Sequence, residues 1–270
     1  MTPGTTPLPE TNGPASAATN DAGSAQDSPN GGANLVVVAT PIGNLNDLSP
    51  RAVATLAGSD VIACEDTRRT RRLLTHAGIS GKRLVSLFAA NEQTRTPQII
   101  EALAHGNQVA LVSDAGTPGI SDPGCMLVDA VASAGFTVSV VPGPSALTAS
   151  LAVSGIPHDR FCFEGFLPRK GSRRRSRLRL LSADKRASVI FEAPSRLVGT
   201  LEDISAAFGP TRRVTVAREL TKTFEDVWRG EASEVLDQAR DRADAGLLRG
   251  ECVIVIAGDR RRRGSDNDPV

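Results

Sequence analysis

Between Leu35 and Val141, short continuous runs of β-branched and aliphatic residues alternate with segments of helical character, and nothing else in the chain restricts its fold as tightly. Leu35-Val36-Val37-Val38-Ala39, Val61-Ile62-Ala63-Cys64, Leu84 to Phe88, Val109-Ala110-Leu111-Val112 and Thr137 to Val141 read as strands. A strand with one wet face alternates apolar and polar side chains, whereas an unbroken apolar run belongs to a strand covered on both faces. The intervening segments carry helix punctuation. Ser49-Pro50 supplies an N-cap and a proline at the first helical position, opening a helix to about Ala57. Thr67 to His76 closes at Gly78, Pro97 to His105 at Gly106, and Met126 to Ala134 at Gly135. This alternation predicts an α/β fold with a mostly parallel sheet and helices on both faces.

Pro142-Gly143-Pro144 interrupts the pattern and marks a domain boundary. Beyond it, Ser145 to Val153 reads as a helix leading to strands at Phe161-Cys162-Phe163, Ser188 to Phe191, Arg213 to Ala217 and Cys252 to Ala257. Helices are expected near Arg173 to Leu181, Arg196 to Phe208 and Ser233 to Ala243. The chain thus divides into a first domain over 34–143 and a second over 144–258, with tails over 1–33 and 259–270. The first tail is too poor in apolar side chains to offset ordering entropy and lacks the pattern of a secretory signal. The second is polar and carries Arg260 to Arg263; both are expected to be disordered. No apolar run reaches membrane-spanning length, so a soluble protein without a membrane partner is expected. Cys64, Cys125, Cys162 and Cys252 stand apart with no CxxC pair, and His76, His105 and His158 are scattered. That spacing favours reduced thiols in a cytoplasmic protein, and disfavours a bound metal or a Ser-His-Asp triad.

Three loops rich in glycine and proline leave strands at their carboxyl ends: Thr40 to Leu45, Ser113 to Gly124 and Pro142 to Ala146. Open α/β sheets bind ligands there. Glycine lets backbone approach a ligand closely, proline fixes a loop without needing a partner for an N–H, and Asp114 is suited to accept from a ribose or an amino group. Their convergence predicts a small-molecule site. None is GxGxxG or GxxxxGK[ST], which disfavours a dinucleotide-binding turn and a P-loop NTPase. Net charge is only +1, but two segments are locally basic. One carries Arg68, Arg69, Arg71 and Arg72; the other carries Arg169, Lys170, Arg173, Arg174, Arg175, Arg177 and Arg179 with no acidic residue among them. Such a segment is either a solvated helix face or a phosphate-binding surface. Aromatic content of 3%, with no Tyr and one Trp, argues against an aromatic stacking platform for bases.

The ordered set VATPIGNLNDLS, ACEDTRRTRRLL, VALVSDAGTPGISDPG, VPGPSALTASLAVSGIP, RFCFEGFLPRKG, FEAPSRL, ARELTKTFE and RGECVIVIAG closely resembles the ribosomal RNA small subunit methyltransferase I family, from about Leu35 to Gly258. That family lies in the tetrapyrrole methylase superfamily. The resemblance implies two α/β domains, the first with a mostly parallel sheet and the second with a mixed one, S-adenosylmethionine in the cleft between them, and a homodimer. It implies 2′-O-methylation of cytidine 1402 in 16S ribosomal RNA, with the small ribosomal subunit as partner.

Carried over position by position, the resemblance implies cofactor contacts at Pro41, Gly43, Asn44 and Leu45, at Ser113, Asp114, Ala115, Ile120, Ser121 and Asp122, and at Pro142, Pro144, Ser145 and Ala146. Phe163, Glu164, Gly165 and Phe166, with Ala217, Arg218, Glu219 and Leu220, would close the slot from the second domain. Transfer to a hydroxyl benefits from a base, for which Glu65, Asp66, Glu92 and Lys222 are the candidates; an acid ahead of an arginine-rich helix is also a common N-cap. Arg68, Arg69, Arg169, Lys170, Arg173, Arg174, Arg175 and Arg177 are the candidate RNA contacts. Two runs depart from the family pattern. Its usual His-acid-His-Asn-Glu run is Phe88-Ala89-Ala90-Asn91-Glu92 here, and its Tyr-Glu-Ser-Pro-His-Arg run is Phe191-Glu192-Ala193-Pro194-Ser195-Arg196. Two other readings stay open: a small-molecule methylase acting on a tetrapyrrole, and a noncatalytic RNA-binding assembly factor.

Overall fold

Unbroken apolar runs need cover on both sides, and helices supply it. The computed structural model describes residues 34–259, so the expected tails, apart from Asp259, lie outside the described residues. Strands β1 (Asn34–Val38), β2 (Val61–Cys64), β3 (Arg83–Ser86), β4 (Val109–Val112) and β5 (Thr137–Val141) form a parallel sheet in the order β3-β2-β4-β1-β5. The helices are α1 (Pro50–Gly58), α2 (Thr67–His76), α3 (Glu92–Ala104) and α4 (Cys125–Ser133). On one face Leu35, Val61, Ala63, Val109 and Leu111 meet Ile99 and Leu103 of α3 and Leu127 and Val131 of α4. On the other, Val38, Ile62, Cys64, Ala110 and Val112 meet Ala52 and Leu56 of α1 and Leu74 of α2. Neighbouring residues of one run thus serve opposite cores, each large side chain contributing about 1.5–3 kcal/mol. Ser49 caps α1 as expected, its hydroxyl accepting the Ala52 N–H at 3.1 Å.

The second half holds β6 (Phe161–Phe166), β7 (Ala187–Glu192), β8 (Arg213–Arg218), β9 (Asp226–Glu231) and β10 (Cys252–Ile256) in the order β6-β7-β10-β8-β9. β6 and β7 are parallel and the other pairs antiparallel, a mixed sheet. Its helices are α6 (Gly171–Ser182), α7 (Pro194–Phe208) and α8 (Ala232–Asp244), which cover the face bearing Ile190, Val214, Val216, Ile254 and Ile256. Helix α5 (Ala146–Ser154), which follows the Pro142 to Pro144 break, covers part of the opposite face at Val189, Val253 and Val255. The rest of that face looks toward the first sheet.

Three elements differ from the sequence reading. β9 was not anticipated, because Asp226-Val227-Trp228-Arg229-Gly230-Glu231 buries little except Trp228 and lies at a sheet edge. Helix α3 starts at Glu92 rather than Pro97, so the proline sits inside it. β6 continues past Phe163 to Phe166 through an irregularity in its pairing with β7. Among the described residues no helix is long and apolar enough to cross a membrane.

Candidate active site

The chain leaves β1 toward β2 on one side and leaves β4 toward β5 on the other, so the carboxyl ends of β1 and β4 form the topological switch point of the first sheet. Their loops are tied by reciprocal backbone bonds, Thr40 N–H to Gly116 O at 2.8 Å and Gly116 N–H to Thr40 O at 3.0 Å. A cleft of about 430 Å³ opens here between the two sheets. Ile42, Glu65, Arg69, Asp114, Ala115, Gly116, Thr117, Ile120, Ser121 and Asp122 line it from the first half, with Ser145 and Ala146 from the connecting segment. Phe166, Phe191, Glu192, Ala193, Pro194, Gly250, Glu251, Cys252 and Val253 line it from the second.

The cleft is acidic. Five carboxyl groups face one arginine among its described lining residues. Glu192 is spoken for: it is 2% exposed, accepts the Thr200 hydroxyl at 2.7 Å and lies 3.1 Å from the Arg196 guanidinium. Asp114 accepts the Asp66 N–H at 3.0 Å and pairs with Arg69 at 3.4 Å. Burial pushes the Asp122 carboxyl up to about 6, and neighbouring Glu65, Asp114 and Glu251 add to the effect against a hydrogen bond from Ser113. Burial, then the proximity of Asp114, also raises Glu65. Carboxyl groups raised this way hold protons more readily and are stronger bases when ionised.

The other candidate proton acceptors have structural duties. Asp66 is the N-cap of α2, accepting the Arg68 N–H at 2.7 Å, and that bond holds its carboxyl below the usual range. Glu92 is 6% exposed, and its Oε1 accepts the N–H groups of Gly124 at 3.0 Å and Leu127 at 3.1 Å. Gly124 is the N-cap of α4, at φ +130°, and a Cβ there would stand 2.8 Å from Leu111. The capping position therefore has no side chain, and Glu92 supplies the cap from a neighbouring helix, fixing the downstream end of the Ser113 to Gly124 loop. Lys222 donates to Glu219 at 2.7 Å and Glu251 at 3.1 Å. Burial opposes its charge, but those two carboxylates outweigh burial and raise its pKa, the wrong direction for a neutral base. Beside it, the β1 loop abuts the second half: Asn44 N–H donates to the Thr221 hydroxyl at 3.2 Å, and a Cβ on Gly43 would lie 2.3 Å from Lys222 Cγ. This latch joins the halves next to the cleft, and Glu251 belongs both to the Lys222 cluster and to the cleft lining.

The remaining expected contacts are dispersed. Pro41, Leu45 and Ser113 line an adjoining cavity of about 140 Å³ together with Arg69, Arg72 and Asp114. The Pro144 carbonyl, in the segment that also holds Pro142, accepts the Thr117 hydroxyl at 3.2 Å. Phe163 packs under Phe191, Glu164 pairs with Arg177 at 2.6 Å, Gly165 abuts Ser121, and Arg218 donates to the carbonyls of Arg249 and Phe224. Glu219 holds Lys222. Within the basic segment, Arg174 is engaged with Asp203, Thr200 and the Gly199 carbonyl, and Arg175 lies 3.8 Å from Asp203. Arg169, Lys170 and Arg173 are exposed, as are Arg68, Arg69, Arg71 and Arg72 on α2. Of the second-half lining, the family resemblance had pointed to Phe166, while Phe191 to Pro194 and the Gly250 to Val253 stretch were missed. The available signal was a lone acid, Glu251, directly ahead of the fully apolar β10 run.

Known proteins share both the sequence and the fold. Residues 34–236 match the family described as Tetrapyrrole (Corrin/Porphyrin) Methylases. The chain is 50% identical over 224 residues to the ribosomal RNA small subunit methyltransferase I of Xylella fastidiosa strain Temecula1, covering 83% of this chain and 81% of that one. It is 47% identical over 225 residues to the protein of the same name from Mycobacterium tuberculosis strain CDC 1551, covering 83% and 77%. Among solved structures, the uroporphyrin-III-C-methyltransferase of Thermus thermophilus superposes with TM-score 0.56 at 18% identity, covering 83% of this chain and 94% of that one. A cobalt precorrin-4 methyltransferase of cobalamin biosynthesis superposes with TM-score 0.59 at 14% identity, covering 83% and 94%.

Proposed function

This chain is a methyltransferase that belongs to the tetrapyrrole (corrin/porphyrin) methylase family and, within it, to the ribosomal RNA small subunit methyltransferase I family, and we propose that it moves a methyl group from S-adenosylmethionine to the 2′-hydroxyl of cytidine 1402 in 16S ribosomal RNA. The observation that carries this reading is the acidic cleft at the switch point. Its volume falls in the range of small-molecule sites. Glu65, Asp114, Asp122 and Glu251 complement a ligand bearing a sulfonium and an ammonium, while Ile42, Ile120, Ala146 and Val253 offer apolar surface to an adenine. When bound, the cofactor supplies an electrophilic methyl carbon.

The protein's own part is to orient and to take a proton. The tied Thr40 and Gly116 loops and the Glu92 cap hold one wall rigid, so that the hydroxyl meets the methyl carbon in line, and orientation of this kind supplies much of the acceleration. Asp122 and Glu65 are the groups placed to receive the hydroxyl proton. At about 6, Asp122 is ionised at neutral pH yet more basic than an ordinary carboxylate. Lys222 positions Glu251, and Asp66 positions α2. The exposed Arg68, Arg69, Arg169, Lys170, Arg173 and Arg175 hold phosphates, with Arg174 and Arg177 anchoring α6 beneath them. A homodimer acting in the cytoplasm completes the proposal.

Tritiated methyl transfer to small ribosomal subunits, followed by alkaline hydrolysis, tests it directly. A ribose-methylated position resists alkaline cleavage, so protection at the target nucleotide is the expected result. Transfer to a tetrapyrrole instead, or tight cofactor binding with no transfer to subunits, would overturn it.

A further inference from the structure

With few aromatic residues in the chain, the fold nevertheless gathers three phenylalanines beside the cleft, Phe166 and Phe191 lining it and Phe163 packed against Phe191. β6 pairs with β7 as Phe163↔Val189 and then Phe166↔Phe191, so three steps along β6 match two along β7. Side chains alternate faces along a strand, and three regular steps would put Phe166 opposite Phe163. The extra residue of this bulge returns Phe166 to the face that Phe163, Val189 and Phe191 share. Gly165, at φ +57°, makes the turn, and a Cβ there would sit 3.1 Å from the Ser121 hydroxyl across the cleft. Phe163 and Phe191 meet edge to face at 4.8 Å, and Phe166 meets Phe191 at 5.9 Å. Phe166 is braced on one side, yet 61% of its surface is exposed.

Its surroundings narrow what the exposed ring can meet. The chain runs from Phe166 through Leu167, whose carbonyl accepts Arg196 Nη2 at 2.9 Å, to exposed Arg169 and Lys170 and then α6. Arg177 grips Glu164 inside the bulge with bonds of 2.6 and 2.8 Å, so the cationic helix is fixed to the same strand. The ring therefore lines the acidic cleft at the end of β6 that leads to the cationic segment. A nucleotide whose ribose is to react inside an enclosed site must leave its base stack, and an aromatic face repays the lost stacking.

We propose that Phe166 is the stacking platform for the base of the target nucleotide, with the flanking phosphates on Arg169, Lys170 and Arg173 and the ribose directed into the cleft. The assignment rests on the RNA-methylation reading above and specifies how that substrate is held. The test compares wild type with Phe166→Ala and Phe166→Trp in methyl transfer to small ribosomal subunits, cofactor binding by calorimetry, and sedimentation. Quenching of a fluorescent pyrimidine analogue at the target position of an oligoribonucleotide reads the stack itself. For Phe166→Ala the expected result is a KM for subunits raised about ten- to a hundredfold and loss of quenching, with cofactor Kd within about twofold. Phe166→Trp restores both. A cofactor Kd weakened in proportion would place the adenine on this ring, and a change in oligomeric state would make the ring an interface contact; either overturns the inference. So does an unchanged KM. Inactivity of the wild-type protein on subunits would refute the underlying function instead, so the two failures are distinguishable.

Discussion

Replacing Glu92 separates a cap from a catalyst. Glu92→Ala leaves the N–H groups of Gly124 and Leu127, both buried residues, without their acceptor. Each orphaned buried donor costs roughly 1–3 kcal/mol, so the variant should lose about 2–5 kcal/mol. At about 2–4 °C per kcal/mol for a domain of this size, Tm falls by about 5–15 °C. Glu92→Gln keeps a carbonyl oxygen in the same place and loses only the charge, and should cost about 1 kcal/mol. Thermal unfolding gives the stability; methyl transfer assayed well below both transitions gives the rate. Glu92→Gln should keep kcat within about threefold. Glu92→Ala should raise the cofactor KM more than it lowers kcat, because the loop that carries Asp114 and Asp122 ends on the cap it has lost. A Glu92→Gln protein of unchanged Tm whose kcat had dropped a hundredfold would refute this reasoning and return Glu92 to the reacting atoms.

Asp122 should set an acid limit to activity. As pH falls through about 6, it gains a proton and kcat/KM should drop about tenfold per unit; Asp122→Asn should be slow and lack that limb. Because its proton is held more tightly in the native than in the unfolded chain, native stability falls as pH rises from about 4 to 6. Asp122→Asn should therefore raise Tm at pH 7.5 and leave it unchanged at pH 4, and an equal gain at both would contradict the shift. Gly43→Ala forces Lys222 and Thr221 away from the β1 loop, so calorimetry should show weaker cofactor binding with little loss of secondary structure. Arg173→Glu should reduce the slope of log affinity against log salt by about one for subunit binding. If the slope is unchanged, Arg173 does not touch phosphate.

The first sheet was legible because burial on both faces writes itself into the sequence as unbroken runs such as Val109-Ala110-Leu111-Val112, punctuated by Ser49-Pro50, Gly78 and Gly106. The cleft wall from the first half was legible because three loops rich in glycine and proline converge at the carboxyl ends of strands, where open α/β sheets bind ligands, although any one of them alone reads equally as an ordinary turn. The second wall was not. Glu251 and Val253 come from the start of β10, far from any loop signal, and reach the cleft only because β10 takes a central place between β7 and β8. Phe166 was placed at the slot by family resemblance alone; it faces the cleft because of one bulge, which periodicity cannot foresee from Phe-Cys-Phe-Glu-Gly-Phe. Asp66, Glu92 and Lys222 looked alike as titratable residues near the loops, and only their partners, a helix start for two and a pair of carboxylates for the third, separate them from Asp122 and Glu65.

The carboxyl-lined cleft also bears on competition inside a cell. Adenosine is carried there mostly by nucleotides, whose polyphosphate would have to enter among Glu65, Asp114, Asp122 and Glu251 with Arg69 as the one cationic side chain among the described lining residues. An adenosine whose 5′ substituent is cationic meets attraction at the same positions. With S-adenosylmethionine in the cleft as proposed, the site would select among adenosine compounds by the sign of what hangs from the ribose, a discrimination by repulsion that would let the methyl donor bind in a large excess of ATP.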